Sequence, residues 1–294
     1  MILSIPSPHT GVVHLGPLAI RMYGLMLLLG IAACIWLTGV RWVRRGGDWD
    51  LVFRVAVWGV GFGIVGARLY HDITSWGEVQ AIDAWWAPFA VWKGGLGVWG
   101  GILFGCLAGA VVVYRSEYRV RDFMDAVAPG LLLAQAIGRW GNWWNQELFG
   151  KPTDLPWGLR IDPENRPPDH LDAATFHPTF LYELLWDFAM AAVLVYVIER
   201  RLRPRPPGVF AAYIALYCVG RFFEELLRID PAHHIAGLRL NAWVSLLGVV
   251  AGVTWYVLSQ RDRTPRPRGT RRTRPTKPSR TMAVPGERRV RPPG

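Results

Sequence analysis

The sequence predicts an all-α, polytopic membrane protein of about seven transmembrane helices. Of its 294 residues, 51% are hydrophobic and 16 are Trp. Seven apolar windows recur along the chain, each near the ~20 residues that cross roughly 30 Å of hydrocarbon. The loops between the windows alternate between basic and acidic or mixed.

The spans fall at roughly 17–40, 51–70, 94–114, 123–140, 178–198, 208–227 and 239–259. Arg21 to Leu25 stand near the start of the first. The third opens on Gly94 to Gly101, whose small residues let a neighbouring helix or a lipid approach the backbone. The fourth is the shortest and contains Pro129, which biases Ala128 away from helix and predicts a kink. The fifth opens at His177-Pro178, and proline suits a first helical turn. The sixth ends on the polar run from Arg221 to Arg228, and the seventh leads into a basic tail.

Orientation follows from the loops. One set carries Arg41, Arg44 and Arg45, then Arg115, Arg119 and Arg121, then Arg200, Arg201, Arg203 and Arg205. The other carries Asp72, Glu78 and Asp83, then Asp154, Asp162, Glu164, Asp169 and Asp172. The positive-inside rule puts the N-terminus outside and the C-terminus in the cytoplasm, which an odd number of spans also requires.

The expected organisation is a membrane domain over 1–260 and a tail over 261–294. Within the former, residues 141–176 are rich in Pro, Asp and Trp and too polar to span, so they are expected to cap the outer face. The tail has almost no apolar residues and is expected to be disordered. It holds 12 Arg and Lys against 2 acids, which accounts for nearly all of the net charge of +11. Such a tail suits anionic lipid headgroups. A nucleic-acid reading lacks the interleaved aromatics that stack on bases.

Cys34, Cys106 and Cys218 each lie inside an apolar run, where small buried hydrophobes are expected. Their spacing suits neither a metal site nor a disulfide framework. The first 16 residues lack a basic n-region and the first apolar run is too long for a signal h-region, so no cleavable signal peptide is read. Arg outnumbers Lys 30 to 3, and Ala, Gly, Val and Trp are abundant, as in GC-rich bacterial genomes.

Polar groups at membrane depth are costly and mark candidate sites. Gly138-Arg139-Trp140-Gly141-Asn142-Trp143-Trp144-Asn145-Gln146-Glu147-Leu148-Phe149-Gly150 closes the fourth apolar run. An aromatic belt with one snorkelling arginine would need neither the Asn pair nor the Glu. Arg221, Glu225 and Arg228 share one helical face at i, i+4 and i+7. Taken alone, they also read as a snorkelling helix end with an ion pair. Arg21-Met22-Tyr23-Gly24-Leu25 places a tyrosine that is either a headgroup contact or a belt residue. His177-Pro178-Thr179-Phe180-Leu181-Tyr182-Glu183 places a histidine that titrates near neutral pH. Its Glu183 also fits a capping role beside the helix dipole.

The spacing G-R-x-G-N-x-x-N-x-E-x-x-G over 138–150 resembles the signature of the prolipoprotein diacylglyceryl transferase family. The runs at Arg221, at Arg21 and at His177 resemble that family's second arginine motif, its R-x-Y-G-L motif and its H-P-x-x-L-Y-E motif. The four stand in family order, and the resemblance covers about 17 to 260. Gly94 to Gly101 resembles a glycine-rich H-G-G segment with one departure: Trp99 stands where the family has histidine. Tryptophan cannot accept a proton.

The resemblance implies transfer of the diacylglyceryl group of phosphatidylglycerol to the lipobox cysteine thiol of a prelipoprotein. A thioether forms and glycerol phosphate leaves. It implies a multi-pass protein of the bacterial cytoplasmic membrane, with its site toward the outer leaflet and lipids entering sideways between helices. Phosphatidylglycerol, prelipoprotein signal peptides and membrane lipids are the implied partners, with no metal and no cofactor. The lack of a Cys/His ligand cluster agrees.

The leaving phosphate gains negative charge, so cationic donors aimed at it lower the barrier. Arginine stays charged in a poorly hydrated site and its planar fork matches phosphate. Arg139 and Arg221 are the candidate clamp, with Glu225 and Arg228 orienting it. A free thiol has a pKa of about 8.5 and needs a base or a positive field. Without a histidine at Trp99, the candidates are His177, Glu147 or the arginine field itself. Glu147 is equally a candidate ion-pair partner of Arg139. Asn142 and Asn145 offer neutral hydrogen bonds to the glycerol hydroxyls or the phosphate, and Lys151 a surface attraction. Tyr23, Gly94, Gly95, Trp99, Gly100, Gly101, Gly150, Tyr182 and Glu183 complete the expected substrate-binding set. The rival reading is a transporter of anionic lipids, against which stand the lack of an internal repeat and the clustering of polar residues toward one face. A non-catalytic chaperone is the third reading.

Overall fold

The chain is described by a computed structural model covering residues 4–16, 18–82 and 84–261. The expected disorder of the tail falls on 262–294, outside the described residues. The long helices are α1 (Met22–Arg44), α2 (Trp49–Thr74), α4 (Val98–Arg115), α5 (Val120–Asn145), α6 (Thr179–Val193), α7 (Gly208–Leu227) and α8 (Leu240–Arg261), with a short α-helix, α3 (Trp76–Gln80), after α2. A π-helical stretch, Leu194–Leu202, continues α6. Short antiparallel pairs join β1 (Val12–Leu15) to β2 (Leu18–Arg21), β3 (Leu159–Arg160) to β4 (Thr175–Phe176) and β5 (His234–Ile235) to β6 (Leu238–Arg239).

Among the described residues, five helices are long and apolar enough to cross a membrane: Met22–Arg44, Trp49–Thr74, Val98–Arg115, Thr179–Leu202 and Leu240–Arg261. Leu28, Val57, Ile102, Leu185 and Leu247 on these helices are more than half exposed. A surface this apolar suits hydrocarbon, not water. Helices α5 and α7 carry the charged residues Asp122, Asp125, Arg139, Arg221, Glu224 and Glu225. Helix α5 is central, packing against α1, α6 and α7, so its polar groups meet protein.

Element boundaries depart from the sequence reading in three places. Residues 18–21 are strand, and the first helix begins at Met22. Gly94 and Gly95 take positive φ (90° and 72°) and make a turn, so α4 starts only at Val98. Helix α5 runs through Pro129 and on to Asn145. Proline's fixed φ is itself helical, and the packed neighbours hold the turn around its missing N–H. The signature is therefore helical to Asn145, and the polar region begins at Gln146, whose left-handed φ of 49° ends the helix.

Helices α2 and α4 touch backbone to backbone. A Cβ on Gly66 would stand 2.5 Å from the Gly100 carbonyl oxygen, and one on Gly100 2.1 Å from that of Gly66. At the end carrying Arg44 and Arg115, Trp42 packs edge-on against Tyr118 and Phe123 at 5.1 and 5.2 Å, joining this pair to α1 and α5. Arg41 adds a polar lock there. It donates to the carbonyls of Ala126 and Asp125, both at 2.9 Å, and pairs with Glu199, as does Arg45. At the opposite end, residues 146–178 close on a small core of Phe149, Leu159, Ile161, Phe176 and Phe180. The N-terminal segment joins it through Ile5, whose N–H bonds Gly158 O at 2.9 Å.

Candidate active site

Three helices bring their charges to one point at the end of α5. Arg139, in the last two turns of α5, pairs with one oxygen of Glu183 in the first turns of α6. Arg221, near the end of α7, reaches the other oxygen at 3.3 Å. The bridging Glu183 side chain is only 3% exposed. Its position beyond the first turn and its two guanidinium partners make it a tie between helices, not a cap. Arg221 also pairs with Glu224 at 2.7 Å and with Glu225, confirming the i,i+4 geometry read from the sequence.

Glu225 is the hub of a second layer. It accepts from Arg239 Nε at 2.6 Å and Asn241 at 3.4 Å, and Arg228 stands 3.8 Å away. Arg228 follows α7 in extended backbone rather than on its helical face. Both Arg228 and Arg239 hold Asp230, at 2.6 and 2.9 Å. Partial burial opposes ionisation of Asp230, but these two guanidiniums keep its carboxyl below the usual range.

The rest of the signature wraps the end of α5. The left-handed turn at Gln146 folds Glu147 back, with its N–H on Asn142 O at 3.1 Å. Glu147 then accepts from Asn142 at 2.9 Å and Asn145 at 3.3 Å, and Asn142 accepts from Arg139 at 3.3 Å. The expected direct ion pair between Glu147 and Arg139 is thus replaced by an asparagine relay, because Glu183 already occupies the guanidinium. The Tyr23 ring lies against Gly141, where a Cβ would come within 2.5 Å of it.

Gly150 sits where three chain segments cross. Its N–H bonds His177 O at 2.9 Å, Lys151 N–H bonds Leu227 O at 2.9 Å, and Gly150 bridges to Arg228. His177 Nδ1 lies 3.2 Å from the Tyr182 hydroxyl, which also accepts from Trp157 Nε1 at 3.0 Å. With Nδ1–H donating to Tyr182, Nε2 keeps its lone pair for a proton. Partial burial, then the nearby Lys151 ammonium, hold the imidazole below its ordinary value, so it is neutral at pH 7. Lys151→Gln removes the second cause and leaves the first. The His177 midpoint is expected to rise partway in an NMR titration of the imidazole; an unmoved midpoint would show that Lys151 does not act on this ring.

The glycine-rich segment packs on α2. Gly95 packs against His71, and Gly100 and Gly101 pack along α2. Trp99 is 53% exposed. The turn holding Gly94 and Gly95 is fastened by Arg68, whose guanidinium donates to the carbonyls of Ala87, Pro88, Gly94 and Gly95 at 2.6 to 3.2 Å and pairs with Asp72 at 3.0 Å. Sequence reasoning missed Arg68, Asp187, Glu224 and Arg239. Each carried a signal. Arg68 is a charge inside an apolar span, Asp187 follows Glu183 by one turn, Glu224 adjoins Glu225, and Arg239 opens the last span.

Residues 10–258 match the family described as prolipoprotein diacylglyceryl transferase. The chain is 49% identical over 264 residues to a phosphatidylglycerol–prolipoprotein diacylglyceryl transferase of Streptomyces coelicolor, covering 87% of this chain and 80% of that protein. It is 46% identical over 261 residues to one from Streptomyces griseus (88% and 78%) and 42% over 272 residues to one from Mycobacterium leprae (88% and 82%). A match that spans nearly all the described helices, and takes in both arginine clusters and the relay around Glu147, leaves one assignment: the chain belongs to the prolipoprotein diacylglyceryl transferase family.

Proposed function

We propose that the protein transfers the diacylglyceryl group of phosphatidylglycerol to the thiol of a prelipoprotein's lipobox cysteine. One observation carries the reading: Arg139 and Arg221, from different helices, converge on the single buried carboxylate of Glu183. Two guanidiniums held side by side by one anion form a socket that a lipid phosphate can enter by taking that anion's place. In the reaction the thiol loses its proton, a carbon–sulfur bond forms, and the carbon–oxygen bond to phosphate breaks. Glycerol phosphate leaves with one more negative charge than the diester carried, and the clamp meets that charge as it develops.

Arg139 and Arg221 bind the phosphate, while Glu225, Arg228 and Arg239 fix the Arg221 end. Asn142, Asn145 and Tyr23 line the approach, with Glu147 tied to the two asparagines. His177 is the proton acceptor this geometry favours, being neutral and only partly buried, with Tyr182 orienting its ring. Gly94 and Gly95 make the turn that leads into α4, Gly100 and Gly101 serve the packing of α4 on α2, and Trp99 faces outward toward lipid.

All seven long helices cross the bacterial cytoplasmic membrane in this reading, with the N-terminus outside. Residues 146–178 cap the outer face, and lipids enter sideways. The position of α2 and α4, fastened to the other helices through α1 and α5, supports lateral entry. The test is transfer from phosphatidylglycerol labelled in its acyl-bearing glycerol to a lipobox peptide, by purified protein in lipid. Label is expected on the cysteine peptide and not on its Cys→Ser variant; no transfer by folded protein would overturn the reading.

A further inference from the structure

We propose that Glu183, Glu224 and Asp187 form one proton-holding unit, and that it takes up a proton when an anionic phosphate occupies Arg139 and Arg221. The proposal rests on the arginine-clamp reading above.

Asp187 lies one helical turn beyond Glu183 on α6, so the two carboxyls share a face. Its side chain is 0% exposed, and among the described residues neither carboxyl oxygen has a hydrogen-bond partner. An ionised carboxylate is not stable in such a place without donors. Glu224 of α7 stands beside Glu183 while pairing with Arg221 at 2.7 Å, the guanidinium that Glu183 also meets. The charged and titratable groups facing Asp187 are Arg139 from α5 and Arg221, Glu224, Tyr213 and Tyr217 from α7. Tyr213 in turn donates to Gln135 of α5 at 3.4 Å and faces Cys106 of α4.

The charge count points to the proton. Glu225 and Asp230 are matched by Arg228 and Arg239. That leaves two guanidiniums, Arg139 and Arg221, against three buried carboxyls. Three buried carboxyls against two guanidiniums, one of them without any donor, do not all ionise. One proton on the three makes the group neutral. A phosphodiester then adds one negative charge and displaces Glu183 from its arginines. Neither the diester nor arginine titrates near neutral pH, so neutrality returns only if the carboxyls accept a second proton. The displaced Glu183 can then turn toward Asp187, which has no other partner to give up.

Binding coupled to one proton weakens tenfold for each unit rise in pH. The experiment is calorimetric titration of the full chain, in zwitterionic detergent, with a short-chain phosphatidylglycerol at one pH. It is repeated in buffers of different ionisation enthalpy, whose slope gives the proton count. Uptake approaching one proton per lipid is expected. The double variant Glu224→Gln, Asp187→Asn leaves one carboxylate against two guanidiniums, and should bind with no uptake and with affinity independent of pH. Binding by the wild type without proton uptake would overturn the proposal alone, whether or not the double variant folds. An affinity for this lipid unchanged in Arg139→Ala would overturn the clamp reading and the proton linkage together.

Discussion

Arg139→Ala is expected to lower diacylglyceryl transfer by about a thousandfold or more, with helix content and monodispersity unchanged. Removing one fixed donor from a developing oxyanion costs roughly 10²- to 10³-fold, and here the donor also carries a charge and half the phosphate socket. Glu183 would still be held by Arg221 at 3.3 Å, so the three-helix junction keeps one of its two ties. Arg139→Lys restores the charge but not the fork, and should recover only a small part of the activity. The assay is initial transfer rate at saturating peptide and varied phosphatidylglycerol. Transfer within tenfold of wild type in a folded Arg139→Ala protein would reduce Arg139 to a structural ion pair and bring the non-catalytic reading forward.

Gly100→Leu should unfold or loosen the α2–α4 pair, at a cost of about 3 kcal/mol, the upper end for overpacking a tight contact. A Cβ at this position meets the Gly66 carbonyl oxygen at 2.1 Å and Tyr70 Cβ at 2.5 Å. Neither is a flexible side-chain end, so the helices must move apart. Gly61, on the same helix as Gly66, has nothing within 4 Å of its Cβ position and makes the control. Gly61→Ala should be neutral or slightly stabilising, because alanine suits a helix interior better than glycine. Unfolding midpoints in mixed micelles titrated with SDS would compare them. Equal midpoints for Gly100→Leu and wild type, with transfer lost, would return Gly100 to the substrate-binding role that the sequence resemblance implied.

The fold was legible where apolar length decided it. Each of the seven windows read from the sequence overlaps a long helix, and among the described residues five of these are long and apolar enough to cross a membrane, because hydrocarbon thickness and backbone hydrogen bonding leave a long apolar segment few alternatives. Boundaries were less legible. The sequence reading ended the fourth span at 140, since Asn142 and Asn145 looked like the start of a polar loop, yet α5 continues to Asn145. Those side chains are satisfied by Glu147, which returns only because Gln146 adopts a left-handed turn. Pro129 lies inside α5, as the sequence reading had it, and the local bias against helix is outweighed by the neighbours packed around α5.

By itself the sequence determined the membrane class and the family, and it singled out the two arginines of the proposed clamp, because these depend on residue type and short spacing. Arg221 and Glu225, four apart on a helix, had to meet. The partners across helices were decided by tertiary structure alone. Glu183 is 44 residues from Arg139 and 38 from Arg221, and no local rule says that all three share one point. Nor could spacing show that Asp187 is buried without a donor, that Arg239 completes the charge balance at Glu225, or that the glycine-rich segment turns toward α2. Charges buried in a membrane bundle must find their complements, but which complement each one finds is set by how the helices pack.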